Sequence, residues 1–173
     1  LTDSILSHEI AVGSAELAFE RHGVRCMVLP PVTFGSQNPG QQELPFCIHS
    51  RYETQKAILQ DIVASLQLQG FSRLLIINGH GGNSAAIQAV GLHLYHKGAL
   101  LANLNWWLMA GQIDPAWAGG HGGGEETAAV MAVDPKLIKQ EYLHLPEGIR
   151  NDLGDDLPYG AWTNIHYKGV SVG

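Results

Sequence analysis

The stretch from Leu74 to Asn83, LLIINGHGGN, decides how the rest of the chain is read. Leu74, Leu75, Ile76 and Ile77 form a continuous apolar run, the pattern of a strand buried on both faces of a parallel sheet. Asn78 and Gly79 end the run, His80 follows at once, and Gly81 and Gly82 remove side-chain bulk. Asn83 or Ser84 can then cap a helix. In open α/β sheets, ligands bind outside the carboxyl ends of strands, so His80 stands at a working edge. A loop histidine can equally be a solvated or hydrogen-bonded side chain with no further role. The glycines could also cradle a phosphate at a helix N-terminus. They lack the G-x-G-x-x-G spacing and the lysine of a P-loop, which weakens that reading.

Outward from this stretch, the pattern alternates. A helix is expected from Asp3 and Ser4 to about His22, with Leu6, Ile10, Ser14 and Leu17 on one face and Gly23 ending it. Arg25 to Leu29 reads as a short apolar strand, stopped by Pro30 and Pro31. Residues 30–50 are rich in Gly, Pro, Gln and Asn, a long loop of the kind that is usually functional or mobile; it is expected to project from the sheet edge on the His80 side and to contribute to the pocket or to a subunit contact. A helix from Tyr52 to Gln69 places Ile58, Ile62 and Leu66 four apart, with Gly70 as its cap. Beyond the central strand, a helix from Ser84 to Lys97 turns Ile87, Val90 and Leu94 inward and closes at Gly98; Leu100 to Asn105 is a further strand. This alternation predicts parallel crossovers and an α/β fold, a three-layer α/β/α sandwich with a mostly parallel central sheet, in one domain over residues 1–173. After Asn105 the pattern changes: Trp106, Trp107 and Trp117 gather, a helix is expected from Glu125 to Val133, residues from Glu141 onward read as loop, and Gly169 to Val172 can form a last strand.

Composition narrows the function classes. A net charge of −6 argues against nucleic acid or an acidic membrane surface as partner. No apolar run approaches the roughly 20 residues of a membrane helix. Cys26 and Cys47 make no disulfide framework and read as two buried thiols of a cytoplasmic protein. The chain opens on Leu1, so further native N-terminal sequence is expected.

The segment His121 to Thr127, HGGGEET, repeats the logic of the first loop: a histidine and carboxylates in glycine-rich backbone at the entry to a helix. Glu125 and Glu126 also suit a helix N-terminus for the sake of its dipole alone. If the two loops share a sheet edge, His80, His121 and Glu126 converge. Imidazole with carboxylate is an N/O donor set suited to Zn, Mn or Fe(II). The absence of cysteine near either loop speaks against a closed structural zinc site.

Three motifs together resemble the creatininase (creatinine amidohydrolase) family: Leu74 to Asn83, Pro30 to Gly35 (PPVTFG), and His121-x-x-x-x-Glu126-Thr127. In that family a strand ending in Asn-Gly-His is followed by Gly-Gly-Asn or Tyr-Glu-Asn, and a later His-Ala-Gly-x-x-Glu-Thr segment opens a helix. The likeness covers essentially the whole chain, with the motifs in family order. It implies a three-layer α/β sandwich with two divalent metal ions (Zn, Mn or Fe), hydrolysis of non-peptide C–N bonds in small cyclic amides or formamides, and a homo-oligomer.

Carried onto this chain, the resemblance makes His80 a metal ligand and Asp3, closing Leu1-Thr2-Asp3, the aspartate that bridges the two metals. Glu126 matches the acid of the Glu-Thr pair, a metal ligand or partner of metal-held water, and His121 the histidine of acid–base catalysis. Trp117 matches a tryptophan lying over substrate; Ser36, next to Phe34-Gly35, and Gly81 complete the expected substrate-facing set. Two departures stand out. The family's Glu-x-His ligands lie upstream of the Thr-Asp pair, and this chain begins after them, so it is expected to lack an N-terminal family segment or to hold an incomplete site. Gly81 and Gly82 replace the Tyr and metal-binding Glu of creatinine-specific members, which points away from creatinine as substrate.

The expected chemistry is attack of metal-activated water on an amide-type carbonyl, with His121 or Glu126 passing a proton to the leaving nitrogen. Trp106, Trp107 and Trp117 are expected to wall the pocket, with a place in the core or at an oligomer interface an equal reading for Trp106 and Trp107. The competing readings are a metal-free nucleotide- or phosphate-binding α/β module and a catalytically inactive family member serving as an oligomerisation unit.

Overall fold

The computed structural model of the protein describes residues 2–37, 42, 47–118, 124–139, 165–167 and 170–172. Helix α1 spans Thr2–His22 and α2 spans Tyr52–Leu68. Strand β1, Arg73–Asn78, leads through a 3-10 turn at Gly81–Asn83 into α3, Ser84–Tyr95, and on to β2, Leu100–Asn105. Helix α4, Trp106–Ile113, follows directly, then a 3-10 turn at Pro115–Trp117. Helix α5 is Gly124–Val133, and Ile165–Tyr167 (β3) pairs antiparallel with Val170–Val172 (β4).

Strands β1 and β2 run parallel with α3 as their crossover, from Arg73 opposite Leu100 to Asn78 opposite Asn105. The register ends both strands on an asparagine at the same carboxyl edge. One core cluster joins Val63, Val90, Leu94 and Ala99 with Leu59, Leu74 and Leu101, so α2 and α3 pack on one face of the sheet. The other cluster joins Leu6, Trp106 and Val130 with Ile10, Leu104 and Trp107, bringing α1, α4 and α5 together. Leu101 and Leu104 have opposite parity on β2 and therefore point to opposite faces. Helices on both faces of a parallel pair give the α/β layering that the alternating pattern predicts. Gly23, Gly70 and Gly98 follow α1, α2 and α3 with φ of 67°, 89° and 75°, the left-handed backbone that ends a helix.

Several sequence expectations are corrected. Arg25 to Leu29 is not a strand; residues 23–37 carry no regular structure, and Val24, Met27 and Leu29 are exposed. Pro30 and Pro31 remove two backbone donors beside a segment that has no partner strand among the described residues. Leu75 is 59% exposed, so β1 is covered unevenly along its length and not buried on both faces throughout. On α1, Leu6 is buried and Ile10 packs, whereas Leu17 is exposed. The inward row of α2 is Gln55, Leu59 and Val63, and Ile58 faces out. The helix at 106–113 has no counterpart among the elements expected from the sequence, where the regular pattern ends at Asn105. Of the two readings of Trp106, the core one holds: it is 7% exposed against Leu6 and Val130. The last strand starts at Val170 and pairs with a segment read as loop.

Helix α3 keeps its predicted face: Ile87, Val90 and Leu94 are all buried. Leu94 is 0% exposed. Leu94→Ala is expected to cost about 2–5 kcal/mol of unfolding free energy, measured by urea titration, because neighbours from both helices and both strands cannot all close the gap.

Candidate metal centre at the carboxyl edge of the sheet

The site begins where β1 runs out. A Cβ on Gly79 would stand 2.5 Å from the Asp3 carbonyl oxygen and 3.0 Å from the Asp3 Cβ. Only glycine lets the first turn of α1 lie this close to the loop. That approach sets Asp3 Oδ2 3.5 Å from His80 Nδ1. The first turn of α5 reaches the same place, where Thr2 Oγ1 donates to Glu126 Oε1 at 3.0 Å. Asp3, His80 and Glu126 thus come from α1, the β1–α3 loop and α5 to one sheet edge.

The electrostatics of the cluster are unfavourable to two carboxylates. Burial raises the Asp3 carboxyl above its ordinary range, His80 pulls it down, and Glu126 raises it again through its charge and a side-chain hydrogen bond. Two partly buried carboxyls that share a hydrogen bond are most stable with one proton between them. A divalent cation would take the place of that proton. One imidazole and two carboxylates are N and O donors of the kind Zn, Mn and Fe(II) accept, so the residues present fit such an ion in donor chemistry. The grouping is pairwise, with Asp3 as common member; among the described residues no group of three or more His, Cys, Asp or Glu side chains stands ready as a metal cage.

His80 is held from its other side as well. Its Nε2 lies 3.0 Å from the Ser36 carbonyl oxygen, and its backbone N–H donates to Asn78 Oδ1 at 3.2 Å. Behind it runs a head-to-tail chain of amides: Gln55 Nε2 donates to Asn83 Oδ1 (2.6 Å), Asn83 Nδ2 to Asn78 Oδ1 (3.2 Å), and Asn78 Nδ2 to Asn105 Oδ1 (2.9 Å). Asn83 occupies the N-cap position of α3 but makes no side-chain capping bond. Its side chain belongs to this chain instead.

The remaining sequence candidates divide. Ser36 does lie at the site, but its hydroxyl is directed to Ser50 O and Gln55 Oε1, each at 2.9 Å, and its carbonyl faces His80. Gly81 is open, with only Trp107 Cζ2 at 3.9 Å from where a Cβ would be. Trp107 therefore borders the site. Trp117 is half exposed on its 3-10 turn, and His121 lies outside the described residues. A groove of about 380 Å³ between α3 and β2, lined by Ile87, Gly91, Leu92 and Leu101 among others, has no titratable side chain in its lining and is separate from this chemistry. Sequence reasoning missed Gln55, Asn78 and Asn105. The available signals were a glutamine heading an apolar helical row and two strands that both end on asparagine.

The sequence pattern that defines the family described as creatininase, creatinine amidohydrolase, matches residues 1–171. The chain belongs to the creatininase family. Among solved structures, a Bacteroides fragilis NCTC 9343 protein assigned as a creatinine amidohydrolase is 50% identical, with a TM-score of 0.70, over 80% of this chain and 56% of that one. A creatininase (creatinine amidohydrolase) is 24% identical, with a TM-score of 0.61, over 79% of this chain and 60% of that one. A manganese form of creatininase is 23% identical, with a TM-score of 0.58, over 78% of this chain and 60% of that one. The chain thus spans between about half and three fifths of the length of these structures. Comparison with curated proteins returns no match.

The raised Asp3 carboxyl has a definite sign in a creatininase-family chain free of metal. The folded state binds that proton more tightly than the unfolded state, so this contribution to stability is full below the ordinary carboxylate range and is lost as pH rises through the raised value. Asp3→Asn removes the effect. The melting temperature of metal-free Asp3→Asn is expected to gain on that of the parent as pH increases above about 4, followed by circular dichroism.

Proposed function

We propose that this protein is a metal-dependent amidohydrolase that cleaves a non-peptide C–N bond in a small molecule, a cyclic amide or a formamide. The observation that carries the reading is the meeting of Asp3, His80 and Glu126, which come from three distant segments, at the carboxyl edge of a parallel sheet in a creatininase-family chain. Manganese in one related creatininase and the Zn-Zn form of a creatininase mutant support a pair of divalent cations, with Fe(II) compatible with the same donors.

Asp3, His80 and Glu126 would hold the metal, Asp3 as the shared carboxylate. When bound, divalent ions supply Lewis acidity, which makes water a nucleophile near neutral pH and polarises a carbonyl. The chain's own residues do the rest. Gly81 leaves room for substrate beside Trp107, and Trp117 closes over it and limits water. Glu126 or His121 hands a proton to the departing nitrogen, without which an amine anion would have to leave. Gly81 and Gly82 offer no side chain to recognise a creatinine ring, which favours a different small amide. The phosphate-cradle reading loses ground for a local reason. A Cβ on Gly82 would collide with the Ser36 carbonyl oxygen, so that side of the turn presents an acceptor where an anion needs donors.

His80→Ala is expected to lose bound Mn or Zn, by elemental analysis, and to lose hydrolysis of a formamide and cyclic-amide panel by at least about 100-fold, while its circular dichroism spectrum stays that of the parent. His121→Ala is expected to keep metal and lose turnover. Full metal content in His80→Ala would refute the assignment.

A further inference from the structure

We propose that Gln55 is a positioning residue for His80: acting through Ser36, it orients the ring so that Nδ1 is the nitrogen offered to a metal. The inference rests on reading Asp3, His80 and Glu126 as the metal-holding groups.

Gln55 sits in the first turn of α2 and is 4% exposed, an unusual place for a glutamine unless both ends of its amide are bonded. They are. Its Oε1 shares the single Ser36 Oγ hydrogen with Ser50 O, each at 2.9 Å, and its Nε2 donates to Asn83 Oδ1 at 2.6 Å. Asn83 Oδ1 also accepts the Ser36 backbone N–H, at 3.1 Å. Ser36 is therefore gripped through both its hydroxyl and its backbone, and the two grips meet at Gln55.

The consequence falls on His80. The Ser36 carbonyl oxygen is 3.0 Å from Nε2. A carbonyl can only accept, so Nε2 carries the hydrogen, and in the neutral ring the lone pair belongs to Nδ1. Nδ1 is the atom that faces Asp3. The amide orientations behind this are determined by chemistry. The backbone N–H groups of Ser36 and His80 are obligate donors, and they select the oxygens of Asn83 and Asn78 as their partners. Gly82 keeps the contact open, since a Cβ there would be 2.8 Å from His80 Nε2 as well as against the Ser36 carbonyl. Metal-ligating histidines commonly donate their other ring N–H to a carbonyl, which fixes both tautomer and ring direction. Leucine at position 55 would leave Ser36 Oγ with Ser50 O alone and Asn83 Oδ1 with the Ser36 N–H alone. The carbonyl would lose its firm backing.

The test uses the protein with isotopically labelled histidine, free of metal, about two pH units above the ordinary histidine value, where imidazoles are neutral. Imidazole nitrogen chemical shifts report which ring atom carries the hydrogen. The parent is expected to show His80 as the Nε2–H tautomer. In Gln55→Leu the ring is expected to populate both tautomers, and the dissociation constant for Mn²⁺ or Zn²⁺ to rise about 10–100-fold, with the helical circular dichroism signal retained. A parent ring with its hydrogen on Nδ1 overturns the proposal. So does a folded Gln55→Leu protein with parental ring shifts or parental metal affinity. Should Gln55→Leu fail to fold, Ser36→Ala decides, because it keeps the carbonyl and removes the hydroxyl that ties it to Gln55. The same change in ring shifts supports the inference, and unchanged shifts in folded Ser36→Ala overturn it. If the parent binds neither ion, the metal reading fails by itself, and the ring shifts still decide whether Gln55 sets the tautomer.

Discussion

The side chain of Asn78 ties the sheet to everything built on its edge. It is 2% exposed, ends β1, and is bonded to Asn105 at the end of β2, to Asn83 in the turn, and to the His80 backbone. A buried amide left half satisfied costs on the order of 1–3 kcal/mol, so these partners come as a set. The parallel register puts Asn78 and Asn105 opposite each other, and the hydrogen bond between them forms only if that register holds. The position of His80 is therefore a consequence of strand pairing, transmitted through one asparagine.

Around that anchor the structure trades side-chain bulk for proximity. Gly79 admits the start of α1, Gly82 admits the Ser36 carbonyl, and Gly35 admits the Asn83 amide. Each glycine stands where another element's polar atom has to come within a few ångströms. Three such contacts in one corner hold Gly35 and Ser36, α1 and the β1–α3 turn together. The apolar clusters lie on the two sheet faces, and the polar chain lies at the edge between them. Stability and chemistry are thus spatially separated, which lets the edge carry like charges that a core would not tolerate.

Much of this was legible in the residue pattern. The alternation of apolar runs and glycine stops defines α1, α2, β1, α3 and β2, because helix and strand periods and left-handed stops are local properties. The resemblance carried by NGH, PPVTFG and the His–Glu–Thr segment pointed to the family. Local patterns misled where packing decided the outcome. Arg25 to Leu29 has strand composition but, among the described residues, no strand beside it, and a strand exists only with a partner. Trp106 and Trp107 read alike in sequence, yet one is a core residue and the other borders the site.

What the sequence by itself determined is the succession α1, α2, β1, α3, β2, the layering of helices on a parallel pair, and the residue types able to hold a cation. Those follow from periodicity, capping and donor chemistry, all of which act over a few residues. What only the tertiary structure decided is which atoms meet: Asp3 with His80, Thr2 with Glu126, and Gln55 with both Ser36 and Asn83. The members of these pairs lie between 19 and 124 positions apart, and no local propensity specifies them. The register of β1 on β2 and the glycine gaps do, because buried polar groups in one corner have few ways to be satisfied together.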